Sequence, residues 1–201
     1  MGARSSKKPT SVSRQGRGRT AAARYSSGST GDSAARLYNR SLDFLEGDGV
    51  ARDEQKAFEL NAEAARLGDR DAVLAMGWFY NHGVGVEQND VESRRWYRLA
   101  ARHGSPMAMF SLGAIAYEHG DFEEALKWLR RAVDAGHTRA HFWLGKLYWR
   151  GEGLEEDRKR AIRLFETAAE GKLPVAQRFL RMLPRLQAGS RAPRRGLEPR
   201  T

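Results

Sequence analysis

The sequence contains no cysteine. This excludes a disulfide framework and every thiolate-based metal or redox site. It also lacks any apolar run approaching the roughly 18 residues that a membrane-crossing helix needs. The hydrophobic share is 40% and the mean hydropathy is −0.68. No apolar stretch of the secretory kind lies near the start, so a cytoplasmic location is the default expectation. Catalytic signatures are missing as well. There is no H-E-x-x-H, no Ser-His-Asp pattern or nucleophile elbow, and no P-loop Gly-Lys-Ser/Thr. The expectation is a non-enzymatic chain with no cofactor and no metal centre. Its 201 residues leave room for one domain, or one repeat array, and tails.

The charge is unevenly spread. The net value is +10, from 35 Lys+Arg against 25 Asp+Glu. Residues 1–33 hold seven cations against Asp32 and so contribute +6. Residues 185–201 hold five arginines against Glu198 and contribute +4. Residues 34–184 are therefore neutral, with 23 charges of each sign. Residues 1–33 are rich in Ser, Arg, Gly and Thr and the stretch after Pro184 in Arg, Gly and Pro; both are poor in aliphatic residues, a composition expected to stay disordered. Three readings of these tails stand. They are solubilising ends; or they make weak, non-specific contact with nucleic acid or anionic lipid; or Met1-Gly2-Ala3-Arg4-Ser5-Ser6, followed by Lys7 and Lys8, is an N-myristoylation signal. Only Tyr25 interleaves the N-terminal basic residues, so base stacking is not indicated.

The neutral middle repeats. AARLG at 64–68, AARHG at 100–104, AVDAG at 132–136 and AAEG at 168–171 close four segments, with glycines 36, 32 and 35 residues apart. Upstream recur Met76-Gly77, Leu112-Gly113 and Leu144-Gly145. A G-x-G turn recurs at Gly47/Gly49, Gly83/Gly85 and Gly151/Gly153. No strand precedes these turns, and their recurrence once per unit marks helix-hairpin turns rather than phosphate loops.

Each unit reads as two helices. In the fourth, Ala140, Leu144, Leu147 and Tyr148 recur at helical spacing, and Ala161, Leu164, Phe165, Ala168 and Ala169 form a second apolar face. Asp53, Asn89 and Asp157 stand where a side-chain cap belongs. Gly171 is expected to end the last of these helices in a left-handed conformation. Glu123-Glu124 and Glu155-Glu156 read as helix starts, where the macrodipole favours acids. Small residues at the Leu-Gly and Ala-Ala positions let paired helices approach. Larger neighbours reach the next unit, and stability comes from stacking. The third unit is shorter because Gly120-Asp121-Phe122-Glu123-Glu124-Ala125 makes a tighter turn.

These residues resemble the Sel-1-like repeat family, a relative of the tetratricopeptide repeat. Unit two carries the pattern as Ala72, Met76, Gly77, Tyr80, Gly83, Gly85, Val86, Trp96, Ala100, Ala101 and Gly104. Unit four carries it as Ala140, Leu144, Gly145, Tyr148, Gly151, Gly153, Asp157, Ala161, Ala168, Ala169 and Gly171. Unit one departs from it, with Arg40 and Ser41 in place of Leu-Gly. The resemblance spans about 34–172, divided near 34–70, 71–105, 106–137 and 138–172. A capping helix is expected over 173–184 and disordered basic tails over 1–33 and 185–201. It implies an all-α fold, an α-solenoid of stacked helix-turn-helix repeats, acting as a scaffold or adaptor that binds a peptide or protein in a concave groove. Absence of cysteine sets the chain apart from the secreted, disulfide-rich members.

The implied groove is lined by the first helix of each unit. Its candidate residues are Asp71, Trp78 and His82 in unit two, Met107 and Ser111 in unit three, and Arg139, Trp143, Lys146, Trp149 and Arg150 in unit four. Trp and Arg are enriched at binding hot spots, so this set suits an acidic peptide with an apolar anchor. The competing reading is that one or two of these tryptophans pack between units. Trp96 and Trp128 fall on second helices and are assigned to the core. His137 and His141 have a spacing that could place two ligands on one helix face. Gly136 puts His137 in a turn instead, and no acidic third ligand is near.

Overall fold

The computed structural model describes residues 30–189, with side chains over 33–183. Nine helices and no strand occur among the described residues: α1 (Thr30–Glu46), α2 (Glu54–Arg66), α3 (Arg70–His82), α4 (Asp90–Arg102), α5 (Pro106–Glu118), α6 (Phe122–Asp134), α7 (Thr138–Arg150), α8 (Arg158–Glu170) and α9 (Pro174–Gly189). They are helix-turn-helix repeats of the solenoid kind, grouped in two compact units, α1–α4 through Ser105 and α5–α9 from Pro106. The expectations for the tails lie outside the described residues, except that 30–33 are in α1 and 185–189 are in α9. The helix expected over 173–184 is observed as α9, Pro174–Gly189. No helix among the described residues is long and apolar enough to cross a membrane.

The capping chemistry follows the sequence. Asp53 Oδ1 accepts from the Lys56 amide at 2.9 Å, Asn89 Oδ1 from Val91 and Glu92 at 3.0 Å, and Asp157 Oδ1 from Arg160 at 2.8 Å. Each satisfies amides that the helix itself leaves orphaned. Asp69 and Asp121 do the same for α3 and α6. Glu123 and Glu124 lie in the first turn of α6 as expected. Glu155 and Glu156 do not start a helix: α8 begins at Arg158 behind its Asp157 cap, so the pair sits in the preceding loop.

In the first unit α1 pairs with α2, α3 with α4, and α2 packs on α3. The small residues permit this. Ala57, Ala64 and Ala72 are fully buried. Gly77 lets α4 close in: a Cβ there would lie 2.6 Å from Tyr97. Ser93 Oγ, also fully buried, donates to the Gly77 carbonyl at 3.0 Å. Unit one solves the same problem differently. Ser41 occupies the glycine slot and donates to the Ala57 carbonyl at 2.7 Å. The α2 residue in the register of Tyr97 is the smaller Asn61, buried and donating to the Ala72 carbonyl at 3.0 Å. The atypical pair is an exchange in register: a bulkier residue in the first-helix slot goes with a smaller one in the second-helix slot.

The second unit repeats the pairing as α5–α6 and α7–α8, with α6 on α7 and α8 on α9. A Cβ at Gly113 would meet Leu129 at 2.7 Å, and one at Gly145 would meet Phe165 at 2.7 Å. The expected short turn is present, with α5 ending at Glu118 and α6 starting at Phe122.

The G-x-G turn has two separate requirements. Gly83 is the left-handed C-cap of α3, φ +63°. Gly85 is also left-handed, and a Cβ on it would sit 2.0 Å from the Glu54 carbonyl oxygen, at the start of the preceding second helix. The second glycine therefore joins one repeat to the one before it.

At the end of α8 the structure corrects the sequence reading. Gly171 has φ −69°, and the left-handed residue is Lys172, φ +60°. In register, Lys172 matches Gly68, Gly104 and Gly136, which all have positive φ. Gly171 is needed for space instead, because a Cβ there would lie 2.4 Å from Thr138 Cγ2.

Candidate functional site

The exposed side of the first helices in the second unit carries a cation–aromatic cluster. Its rings come from α5 and α7. Tyr117 and Trp143 meet edge to face at 5.1 Å, and Phe110 meets Trp143 at 6.2 Å. The Lys146 amine lies 4.4 Å from the centroids of both Tyr117 and Trp143. Such a cation is attracted by the negative faces of the rings. Helical spacing makes this possible: Trp143, Lys146 and Arg150 follow at three and four residues along α7, while Phe110 and Tyr117 stand seven apart on α5.

Arg150 Nη1 donates to the Tyr117 hydroxyl at 3.1 Å and to Glu152 Oε1 at 3.3 Å. The charges act on one another. Burial pushes the Tyr117 phenol up, and the neighbouring Glu152 carboxylate adds to this. The Tyr117 and Glu152 charges hold Arg150 still more firmly protonated. Burial brings the Lys146 amine down, helped by the like charge of Arg150 and opposed by Glu152. Arg150 already has a carboxylate partner. No carboxylate lies within ion-pair distance of Lys146 among the described residues. The cluster thus holds a half-buried cation, framed by aromatic faces, that would gain from an incoming carboxylate.

The remaining candidates are divided between the two units. Arg139, Met107 and Ser111 are half-buried on the same two helices. Trp149 is engaged elsewhere: it meets Phe179 of α9 edge to face at 5.4 Å, lies 6.3 Å from Phe165, and has the Arg158 guanidinium over its ring at 5.1 Å. In the first unit, Trp78 stacks on His82 at 4.8 Å, and His82 Nδ1 donates to the Trp78 carbonyl at 2.9 Å. Asp71 is exposed, beside a shallow hollow of about 210 Å³ lined by Arg70, Leu74, Ala100 and His103. Partial burial, then the Asp69 carboxylate, push its carboxyl up.

On the second helices, Trp128 is buried and donates from Nε1 to Glu124, while Trp96 is half-buried. His137 is the N-cap residue of α7 and makes no side-chain capping bond. Its ring stacks on Phe110 at 4.5 Å, and its buried Nδ1 has no partner among the described residues. Burial, with Arg139 and His141, lowers its pKa to about 4. Among the described residues no group of three or more His, Cys, Asp or Glu could hold a metal ion.

Phe110, Tyr117 and Glu152 are the parts of the cluster that the sequence reading omitted. Tyr117 was detectable: in the 32-residue register between units three and four it aligns with Trp149, one position from the family tyrosine.

The sequence of the repeats decides the family. A family model of the Sel1 repeat matches residues 35–69, 70–105, 106–137 and 138–173. The chain belongs to the Sel1 repeat family. Members of this family generally act as non-catalytic protein-interaction scaffolds. Among its relatives is the chitin synthase regulator SKT5 of Saccharomyces cerevisiae, 33% identical in an alignment 145 residues long that covers 68% of this chain and 21% of that protein. A Sel1 repeat protein from Oxalobacter formigenes has a similar crystal structure, with TM-score 0.68 and 32% identity over 73% of this chain and 62% of that one. A protective antigen of uropathogenic Escherichia coli with an SLR fold superposes with TM-score 0.67 at 27% identity, over 80% of this chain and 35% of that one. This Sel1 chain thus spans about a fifth of the yeast regulator and about a third of the bacterial antigen.

Proposed function

We propose that the second unit binds an acidic peptide segment of a partner protein on the exposed side of α5 and α7, as the reading part of an interaction scaffold. The observation that carries this is the Lys146 amine, held between the Tyr117 and Trp143 rings with no carboxylate paired to it among the described residues. A peptide carboxylate would supply that partner, and the rings would cover the apolar side chain next to it. Met107, Ser111 and Arg139, half-buried on the same two helices, are the further residues that would line it. In the first compact unit, Asp71, Trp78 and His82 of the second repeat make a second, smaller candidate surface of mixed charge.

The test is a crosslinking pull-down from source lysate with the wild-type chain and with Trp143→Ala plus Lys146→Ala. A partner recovered by the wild type and lost from the double variant supports the reading. An undiminished partner set overturns it. A second reading rests on the +6 and +4 charges of residues 1–33 and 185–201: salt-sensitive contact with nucleic acid or an anionic membrane through the chain ends. Deleting those ends should abolish binding of that kind and spare the peptide site.

A further inference from the structure

We infer that the peptide surface continues from α7 onto α9 as an apolar strip, so that the second unit reads a carboxylate and, about three residues away, a bulky apolar side chain. This rests on the acidic-peptide reading of the α5–α7 face and adds the second half of the motif.

The inference comes from the place of α9 in the repeat. It begins one repeat after α7: Pro174 stands in the register of Thr138, Ala176 of Ala140, Leu180 of Leu144 and Leu183 of Leu147. Burial follows that register, with Ala140 and Ala176 both at 0% exposure and Leu147 and Leu183 both buried. The aromatic contact between successive first helices recurs too. Tyr117 meets Trp143 edge to face at 5.1 Å, and Trp149 meets Phe179 edge to face at 5.4 Å. Helix α9 is therefore the first helix of a fifth repeat. Arg181 fills its glycine slot and is exposed, as suits a polar end that stops the stack.

In that register, Arg139, Trp143 and Lys146 of α7 become Val175, Phe179 and Met182 of α9. The cations are replaced by apolar side chains, and Val175 and Met182 are each 47% exposed. A charged aromatic step is thus followed by an apolar one. Packed helices lie about 8–10 Å apart, and an extended chain advances about 3.3–3.6 Å per residue. About three residues would carry a peptide from Lys146 to Met182.

The occupant belongs to another protein. The ends of this chain outside the described residues carry eleven cations and only one carboxylate, Glu198, so they share the sign of Lys146, Arg139 and Arg150. Helix α9 has three arginines and no acid, which opposes pairing with its own copy.

The test is fluorescence anisotropy on the full chain. The probes are labelled Gly/Ser peptides of about ten residues carrying two glutamates and, three residues on, either leucine or serine. The leucine peptide is expected to bind about tenfold more tightly than the serine one. Val175→Ser with Met182→Ser, at exposed positions, should erase that difference and leave the serine peptide unaffected. Lys146→Gln should weaken both peptides, and circular dichroism checks that each variant is folded.

Equal binding of the two peptides, still dependent on Lys146, overturns the strip while the acidic reading stands. A leucine preference indifferent to Lys146→Gln overturns the acidic reading and, with it, the two-part motif. Absence of binding by either peptide up to about 1 mM overturns both. A concentration-dependent mass in ultracentrifugation that Met182→Ser abolishes assigns the strip to a second copy and overturns the peptide proposal.

Discussion

The close approach of paired helices at Gly145 is the most direct test of how the repeat is built. Replacing Gly145 by Ala in a helix interior ordinarily stabilises by about 1 kcal/mol, because glycine carries the larger backbone entropy cost. Here the added Cβ would lie 2.7 Å from Phe165 Cε1 and 2.9 Å from Cδ1. Carbon atoms prefer about 3.5–4.0 Å, so the ring must move by nearly an ångström. It has little space in which to do so. Phe165 is 1% exposed, and Phe142, Phe179 and Trp149 surround it at centroid distances of 5.3, 4.5 and 6.3 Å. Overpacking of this kind costs about 1–3 kcal/mol, so Gly145→Ala should destabilise despite its better helix propensity.

Phe165→Ala supplies the control. Alone it should cost about 3–5 kcal/mol. In that background the Cβ at position 145 no longer meets a ring, and Gly145→Ala should become stabilising by up to about 1 kcal/mol. The double-mutant cycle therefore predicts a change of sign, with a coupling equal to the overpacking cost, about 1–3 kcal/mol. Urea denaturation followed by circular dichroism measures it. A neutral or stabilising Gly145→Ala in the wild type, or an equal penalty in both backgrounds, would refute the reasoning.

Three further outcomes are expected. The folded state holds His137 near pKa 4 while the unfolded chain titrates near the ordinary value. As pH falls from about 6.5 to 4 the unfolded chain takes up a proton that the folded one refuses, so stability drops through that window by about 2 kcal/mol, the full shift being discounted for partial solvation. Urea midpoints at pH 7 and pH 4.5 should show a smaller drop in His137→Asn than in the wild type. Lys172→Gly should raise stability by about 0.5–1 kcal/mol because Lys172 bears a left-handed φ, whereas Gly171→Ala should lower it through the contact with Thr138; thermal melts of the two variants should shift in opposite directions. Asp157→Ala removes the acceptor for the Arg160 amide and should cost about 1 kcal/mol in chemical denaturation.

The architecture was legible because its signals are local and recur. Met76-Gly77, Leu112-Gly113 and Leu144-Gly145 mark close approach, and the structure places Tyr97, Leu129 and Phe165 against the three glycines. Asp53, Asn89 and Asp157 could be read as caps because that chemistry spans only a few residues. The misreadings lie where one residue type serves two purposes. A glycine closing AAEG looks like the left-handed glycine of AARLG and AARHG. The chain had instead moved the left-handed residue to Lys172 and kept Gly171 for room beside Thr138. A count of glycine spacings gives 35 for the last unit, while the backbone keeps 36.

The site was less legible for a related reason. A helical projection finds which residues of one helix share a face, and so it collected Arg139, Trp143, Lys146 and Arg150. It does not say which rings a neighbouring helix brings to them. Tyr117 is contributed by α5, and its contact with Lys146 depends on how α5 and α7 pack. Trp149 shows the converse: adjacent in sequence to Arg150, it is drawn toward α9 by Phe179. The two aromatic contacts are one feature seen twice, a ring late in one first helix meeting a ring in the middle of the next. At the first occurrence the next helix carries Lys146, and at the second it carries Met182. The fold is preserved by what the repeats share. Recognition, on the reading proposed above, comes from the positions at which they differ.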